Sequence, residues 1–568
     1  MNKNMFQRHL LNNSFKNIIK EEKKNEIDNQ LIDYNSIFNN DITIIVYFNG
    51  MWGDFENNSK YSEVIIKLLM NVFNCNIVIG DLDTAEILFE SVFSKSVLEL
   101  KKWKYSFFYS GEPQYNEPSN LLNLNYNIIL RGERSYKNII HFPFYAYYLA
   151  FDSIDLRLKD LEVKENGVKK LDIPKKFCCT VITNENGAIR NKFIAKLEKY
   201  KGIDHYGKYK NNQEDVLPGN WHSPELIQKM SEYKFVICFE NSDYDAYITE
   251  KIINPLLANT IPIYWGNSRI GDYFNIDRIL HLPKDDPNSM DILISKIISI
   301  DQDNNKYLRI VNEPYHSILN VCVNLKSIGN DIQRVLFNKY EKLQKIICIV
   351  DDSKEKGRYI KLKSELNKNG LDDFLIEYSL PTYHDNIDEK IFSRIKIDYS
   401  KYLKSNNKKL SLREISLFLN FYIIFKRILA SYKNGLFMIL ESDVIFKSKY
   451  NLIKELLNKI NIDYHHCVSF GSGCDMEVVG KKVADNNIEM FKYNTTRCTD
   501  SFIFSYDGIR LLVEYIEKKI YNEKGGIDNP IDFFMNEFLA TNTYNFYWTL
   551  PSLTFQGSQK GIFNSTIQ

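Results

Sequence analysis

Residues 235–266 read FVICFENSDYDAYITEKIINPLLANTIPIYWG. The stretch opens on an apolar run, FVICF, with the length and composition of a buried parallel strand. It breaks into the polar loop ENSDYDAY, resumes as a helical segment from about Thr249, and ends in a second apolar run, TIPIYW, closed by Gly266. Strand, loop, helix and strand make one βαβ unit. Ligands of parallel sheets sit beyond the carboxyl ends of the strands, where helix N-termini point. Glu240, Asn241, Tyr247, Glu250 and Lys251 are therefore expected around one crevice. A helix N-terminus presents N–H groups and the positive end of a dipole, which suits an anion such as a diphosphate. Lys251 adds a full charge, Glu250 an acceptor for hydroxyl groups, and Tyr247 a ring that stacks or an O–H that donates. The plainer reading has Thr249 as a cap, Glu250 as a first-turn acid and Lys251 as a solvated cation.

Three pieces in fixed order carry a resemblance: FENS at Phe239–Ser242, YITEK at Tyr247–Lys251 and IPIYWG at Ile261–Gly266. They resemble the signature of the α1,3/4-fucosyltransferases, glycosyltransferase family 10. Upstream, YSGEP at Tyr109–Pro113 follows the apolar YSFFYS and is similar to the acceptor-domain motif of that family, which implies that Glu112 is the general base. NGAIRNKFIAKLEKY, Asn186–Tyr200, resembles the segment with a diphosphate-binding arginine, which implies that role for Arg190. The resemblance covers about residues 42–330. It departs at Asn259, where a small residue is common, and at Pro255, which should kink the helix or end it a turn early. It implies a GT-B pair of Rossmann-type domains, GDP-β-L-fucose as donor, an oligosaccharide or glycoconjugate acceptor, inversion at the anomeric carbon and no metal. Glu112 should then confront Arg190 and Lys251 across a shared gap.

A chain of 568 residues is too long for one ordinary core, so two to four domains are expected. Its 73 basic and 72 acidic residues give a net charge of +1, which removes any global electrostatic case for nucleic acid. Nine scattered cysteines, an odd count without a CxxC pair, read as free thiols in a reducing compartment rather than a disulfide framework. His465, His466, Cys467 and Cys474 lack the paired spacing of a zinc site. No apolar run approaches the roughly 20 residues of a membrane span, and the N-terminus lacks a signal-peptide core. A soluble, cytoplasmic protein is expected. Residues 1–40 read as a polar tail; Phe6, Leu10, Phe15 and Ile19 stand roughly in helical phase, which would allow peripheral membrane or partner contact.

Alternating strands and helices argue for parallel sheets in a first domain over 41–158 and a second over 177–332. A charged, apolar-poor linker at 159–176 separates them. A helix over roughly 333–344 leads to a third block, 345–568, opening on KIICIVDDS. There LFMILESDVIF, Leu436–Phe446, is an apolar strand interrupted by Glu441 and Asp443. Ionised carboxylates at a buried strand end are costly unless they bind something, and Mn²⁺ or Mg²⁺ with a nucleotide-sugar diphosphate is the usual solution. SLREISLFLNFYIIFKRIL precedes this strand; RCTDSFIFSYDGIRLL, IDNPIDFFMNEFL and YWTLPSLTFQGSQKGIFNSTI follow it. The order resembles glycosyltransferase family 25, the lipooligosaccharide and collagen galactosyltransferases. That implies a GT-A-like α/β domain, a UDP-sugar donor and transfer of a hexose. The acidic motif there commonly reads Glu-Asp-Asp, whereas Ser442 stands at its centre here. Asp528 or Asp532 would serve as the acceptor-activating base, and Asp500 as a further ligand contact. The alternative to this bifunctional reading is a single fucosyltransferase with a non-catalytic glycan- or nucleotide-binding C-terminal domain.

Overall fold

The computed structural model describes residues 39–563 apart from 53–54, 56–58, 96–97, 152–153, 156, 159–172, 214–221, 318–319, 322, 338–341, 352–353, 372–375, 380–411, 448–449, 473–475, 485–486, 497 and 522–528. The tail with Phe6, Leu10, Phe15 and Ile19, most of the proposed linker, Cys322, Cys474 and Asp528 lie outside the described residues.

Short apolar runs become strands of three large sheets and one two-stranded pair. The first lobe holds β1 (Asn39–Asn49), β2 (Cys75–Ile79), β3 (Ile87–Ser91), β4 (Tyr105–Ser110), β5 (Ile128–Arg131) and β6 (Ile139–His141), in the order β2-β1-β3-β4-β5-β6. Every neighbouring pair is parallel. β3 and β5 are buried at every residue, as expected of strands covered on both faces. The second lobe holds β7 (Lys176–Val181), β8 (Asp204–Tyr206), β9 (Tyr233–Ile237), β10 (Ile261–Tyr264) and β11 (Leu280–His281), in the order β11-β10-β9-β7-β8, again wholly parallel. The α/β reading with parallel sheets holds for both.

The helix read at 333–344 lies earlier, at Leu325–Phe337, and a strand begins at Leu343. The earlier frame puts Ile328 and Ile332 into the core shared with the first sheet. Gln333 then donates through Nε2 to the carbonyls of Asn71 and Val72 (3.0 and 2.8 Å), the free end of the helix Ser59–Phe73. The last helix of the second block thus covers the first lobe. The two lobes also meet directly. Tyr145 N donates to the Ile248 carbonyl (3.0 Å), and the Tyr148 hydroxyl to Asn254 Oδ1 (2.8 Å). Gly132 admits this approach, because a Cβ there would lie 2.8 Å from the Ala246 carbonyl oxygen.

The third lobe contains β12 (Leu343–Ile349), β13 (Ile376–Ser379), β14 (Leu436–Glu441), β15 (Val444–Phe446), β16 (Cys467–Ser469), β17 (Glu489–Lys492), β18 (Ser501–Ser505), β19 (Phe546–Leu550) and β20 (Thr554–Gln556). Seven strands form a mixed sheet ordered β13-β12-β14-β18-β16-β19-β17, with β18 antiparallel to both its neighbours, while β15 and β20 pair separately. Apolar clusters cover both faces of the sheet.

This lobe is fastened to the others by the end of one helix, Leu412–Ser431. The last four carbonyls of a helix lack intrahelical donors. Here Ile428 O receives Tyr432 N (2.9 Å), Leu429 O receives Arg134 Nη1 (3.1 Å), Ala430 O receives the Tyr273 hydroxyl (3.3 Å), and Ser431 O receives Ser135 N (2.7 Å). Three of the four donors belong to the first two lobes. Lys433 N returns a bond to the Ser135 carbonyl (3.0 Å), and the Tyr432 hydroxyl one to Asp331 (2.8 Å).

Six of the seven described cysteines are buried thiols. No helix among the described residues is long and apolar enough to cross a membrane.

Candidate functional site

The βαβ unit of residues 235–266 folds as β9, a loop, the helix Glu250–Leu257 and β10. Thr249 is the N-cap, its Oγ1 accepting from Lys251 N (3.3 Å). Pro255 stays inside the helix, which closes two residues later in a Schellman turn: Thr260 N donates to Pro255 O and Asn259 N to Leu256 O, both at 3.0 Å. Asn259 has φ +56°, a conformation asparagine tolerates better than most residues, and this accounts for its identity there.

Glu240 occupies the place where an anion was expected. Its fully buried carboxylate lies under the helix N-terminus and accepts from Thr249 N (2.8 Å), from Thr249 Oγ1 (2.9 Å) and from Lys251 Nζ (3.2 Å). Burial, partly opposed by Lys251, raises its proton affinity above the ordinary glutamate value. Two of the N–H groups expected to be open to ligand, those of Thr249 and Lys251, are thus taken internally. Gly266 makes room for this carboxylate: its φ is +150°, and a Cβ there would fall 2.7 Å from Glu240 Cγ.

Lys251 points from the helix into a cavity of about 340 Å³, with 28% of its side chain exposed. Burial works against its charge, but Glu240 and Glu250, then Tyr247, outweigh it and hold the ammonium well above the usual lysine range. Glu250 Oε1 stands 4.0 Å from Lys251 Nζ. Asn241, Tyr247, Thr249 and Glu250 line the cavity from the second lobe; Trp52, Ser91, Val92, Phe93, Tyr109, Gly111, Glu112 and Phe144 line it from the first. Glu112 and Lys251 therefore face one hollow across the lobe boundary. Burial raises the proton affinity of Glu112, with Lys251 and a hydrogen bond from Asn116 (3.4 Å) opposing it and Glu250 adding to it.

Arg190 is not brought to this cavity. It begins its helix as expected, but its guanidinium turns back, donating through Nη2 to the carbonyls of Asn184 (2.6 Å) and Asn186 (3.1 Å). Burial lowers its proton affinity from the arginine norm. It orders the loop at the end of β7 instead of meeting Lys251 and Glu112. The expected pairing of two cations is thus reduced to one in this structure.

The sequence reading left out the first-lobe wall. Trp52 Nε1 and the Tyr109 hydroxyl are buried there with no hydrogen-bond partner among the described residues. Ser91 Oγ donates to the Gly50 carbonyl and accepts from Phe93 N (3.2 Å), and the buried carboxylate of the neighbouring Glu90 accepts from Asn49 (2.7 Å), Ser94 (2.6 Å) and Tyr126 (2.6 Å). All these residues follow or end β1, β3 and β4. The rule that ligands gather at carboxyl ends, used on β9, would have found them on the first sheet.

In the third lobe, β14 ends at Glu441 and the chain turns through Ser442 and Asp443. Burial first, then Asp443, Asp500 and Asp532, pushes the Glu441 carboxyl up to about 8. Thr499 donates to its Oε1 (2.5 Å). Asp443 Oδ2 accepts from Ser558 N (3.2 Å), whereas its buried Oδ1 has no partner among the described residues. Asp500 is fully buried, with Oδ2 accepting from Ser501 Oγ (3.0 Å). Asp532 lies in the first turn of the helix Ile531–Thr541, and burial raises its proton affinity. Ser442 is held by Arg358 (2.9 Å) and donates to Glu355 (3.2 Å). Among the described residues no group of three or more His, Cys, Asp or Glu side chains is arranged to hold a metal ion. Glu441 and Asp443 offer two carboxylates, one with an orphaned oxygen, which fits a cation that also takes oxygens from a bound phosphate.

Residues 172–317 match the family model described as glycosyltransferase family 10 (fucosyltransferase), C-terminal. A provisionally named fucosyltransferase of Acanthamoeba polyphaga mimivirus is 29% identical over 271 residues, covering 46% of this chain and 42% of that protein. Alpha-(1,3)-fucosyltransferase B of Drosophila melanogaster is 42% identical over 91 residues (15% and 20%), and alpha-(1,3)-fucosyltransferase FucT of Helicobacter pylori 31% over 137 residues (24% and 27%). The chain thus spans less than half the length of these curated relatives. A crystal structure of an α1,3-fucosyltransferase aligns over 52% of this chain and 91% of its own, with 22% identity and a TM-score of 0.42. The second lobe, which carries Glu240, Glu250 and Lys251, is thus the part of the chain that is similar to the C-terminal domain of glycosyltransferase family 10 (fucosyltransferase).

Proposed function

We propose that the first two lobes, a GT-B-type pair, transfer L-fucose from GDP-β-L-fucose to a hydroxyl of a glycan acceptor, with inversion at the anomeric carbon. The observation that carries this reading is the shared cavity of Glu112 and Lys251 at the carboxyl ends of two parallel sheets. The acceptor oxygen bonds to fucose C1 on the face opposite GDP. The bond from C1 to the β-phosphate oxygen breaks, and its electron pair leaves on GDP. The acceptor proton passes to Glu112, whose raised proton affinity makes it a stronger base than an exposed glutamate. Lys251 stabilises the charge growing on the departing diphosphate. Glu250 accepts from fucose hydroxyls and favours positive charge at C1. Tyr247 and Asn241 position the donor. Glu240 acts through Lys251 and Thr249, as a positioning residue. The relatives named as α1,3-fucosyltransferases support the transfer of fucose and the α1,3-type linkage.

The test separates base from diphosphate ligand. Glu112→Gln should lower fucosyl turnover by roughly 10²–10⁴-fold with GDP affinity retained. Lys251→Ala should weaken GDP binding about tenfold or more, the loss of one charge-assisted hydrogen bond. Equal GDP affinity in the Lys251→Ala protein, measured by calorimetric titration, would count against the assignment.

The third lobe supports a second transfer, of galactose or glucose from a UDP-sugar, on a GT-A-like domain. The observation favouring it is the orphaned, buried Asp443 Oδ1 beside a Glu441 carboxyl that holds its proton near neutrality. Glu441 and Asp443 would hold Mn²⁺ or Mg²⁺, which supplies Lewis-acid stabilisation of a leaving diphosphate. Asp532 is the described candidate for the base, and Asp500 for a ligand contact. A chelator should stop UDP-sugar turnover and spare fucosyl transfer. Loss of both activities would refute this division, and absence of any UDP-sugar turnover with added Mn²⁺ would leave the lobe as a binding domain.

A further inference from the structure

A second cavity, of about 190 Å³, lies on the other side of the catalytic wall. Gly111, Glu112, Phe144 and Tyr247 line both hollows, so Glu112 stands at their junction with Lys251 on one side only. The far side is built from all three lobes. The first gives Gln114, Glu117, Arg131 and Glu133; the second gives Tyr244 and Asp245; the third gives Lys433.

Its charges form a chain. Glu117 pairs with Arg131 (2.8 Å), Arg131 with Glu133, and Glu133 with Lys433. Gln114 also donates to Glu133 (3.1 Å). Lys433 keeps 35% of its side chain exposed, so it is fixed by the pair yet reachable from the cavity. Four lining carboxylates (Glu112, Glu117, Glu133, Asp245) stand against two lining cations, Arg131 and Lys433. Such a surface supplies many hydrogen-bond acceptors for hydroxyl groups and repels a second anion.

We propose that this second cavity receives the glycan acceptor, that its excess of carboxylates selects an uncharged sugar over one bearing a carboxylate, sulfate or phosphate, and that Lys433 of the third lobe is an acceptor-binding part of it. This rests on the fucosyl-transfer reading above and deepens it. A hydroxyl entering from this side reaches Glu112 opposite the diphosphate held at Lys251, as displacement with inversion requires. The third lobe is thereby part of the first active site. Lys433 sits two residues beyond the helix end that docks on Ser135, and its own N–H is bonded there (3.0 Å). Its ammonium is thus placed by the lobe contact itself.

The experiment uses the full chain, GDP-fucose, a panel of neutral disaccharides and the sialylated or sulfated form of whichever disaccharide is used best. The native protein should prefer the neutral acceptor at least tenfold in kcat/KM. Lys433→Ala should raise the acceptor KM about fivefold or more while KM for GDP-fucose shifts less than twofold. Lys433→Arg should restore the acceptor KM, which separates loss of charge at the cavity from damage to the fold. Equal use of neutral and anionic acceptors, or an acceptor KM unmoved in Lys433→Ala, overturns the inference while GDP-fucose turnover leaves fucosyl transfer standing. No transfer and no GDP-fucose hydrolysis by the native chain overturns both.

Discussion

Glu112 is a carboxylate placed where charge is disfavoured, and this has two measurable faces. Its proton affinity is raised by burial, so the base form is lost on acidification at a pH above the ordinary glutamate value of about 4.3. The acid limb of kcat/KM for fucosyl transfer should sit above that value and flatten in Glu112→Gln. Stability carries the opposite sign. A carboxyl whose folded proton affinity is raised costs the fold while it is ionised and costs nothing below its unfolded pKa. Glu112→Gln should therefore unfold at a higher temperature than the native chain at pH 7, and the gain should vanish near pH 4. A gain of equal size at both pH values would exclude ionisation as its cause. Glu112 and Lys251 were legible because short motifs put them at strand and helix ends. Arg190 was legible as a residue but not as a contact: the carbonyls of Asn184 and Asn186, four to six positions back, capture its guanidinium, and side-chain direction is not written in spacing.

The helix Glu250–Leu257 depends on a side chain ten residues before its first position more than on its own propensity. With eight residues and a proline it is too short to be stable alone. Glu240 supplies the missing terms at its start, and the Schellman turn at Asn259 supplies them at its end. Glu240→Gln keeps the shape but removes the charge facing Lys251. We expect weaker GDP binding, because Lys251 is then free to swing. GDP titration of this variant with the affinity unchanged would show that Glu240 merely fills space. The helix start was readable from Thr249-Glu250, since a cap followed by an acid is a local signal. Its internal anion was not, because Glu240 reads as a ligand contact until the loop closes over it. The junction helix was misplaced for a similar reason: the faces of Leu325–Phe337 are chosen by the helix Ser59–Phe73, distant in sequence.

At the scale of the molecule, the three sheets were legible from apolar runs, but their mutual docking was not. Strand–helix rhythm says nothing about who caps the carbonyls at Leu429–Ser431. Arg134 joins all three lobes, bonding Asp245 (3.0 Å), Leu429 O and the Tyr506 hydroxyl (3.1 Å each). A chain divided near residue 342 should consequently yield halves that unfold at lower temperature than the intact protein and associate in size-exclusion chromatography, since each exposes the face that covered the other. Monomeric halves as stable as the whole would show the contact to be energetically idle. The capped helix end has a bearing on how the C-terminal half can diverge. A replacement C-terminal half acquired by recombination fits only if it brings a helix of the right phase ending at the position of Ser431, with a lysine two steps on. The C-terminal half is held like a plug in a socket, and exchange of one whole segment for another is closed to it unless the socket around Ser135 changes in the same event.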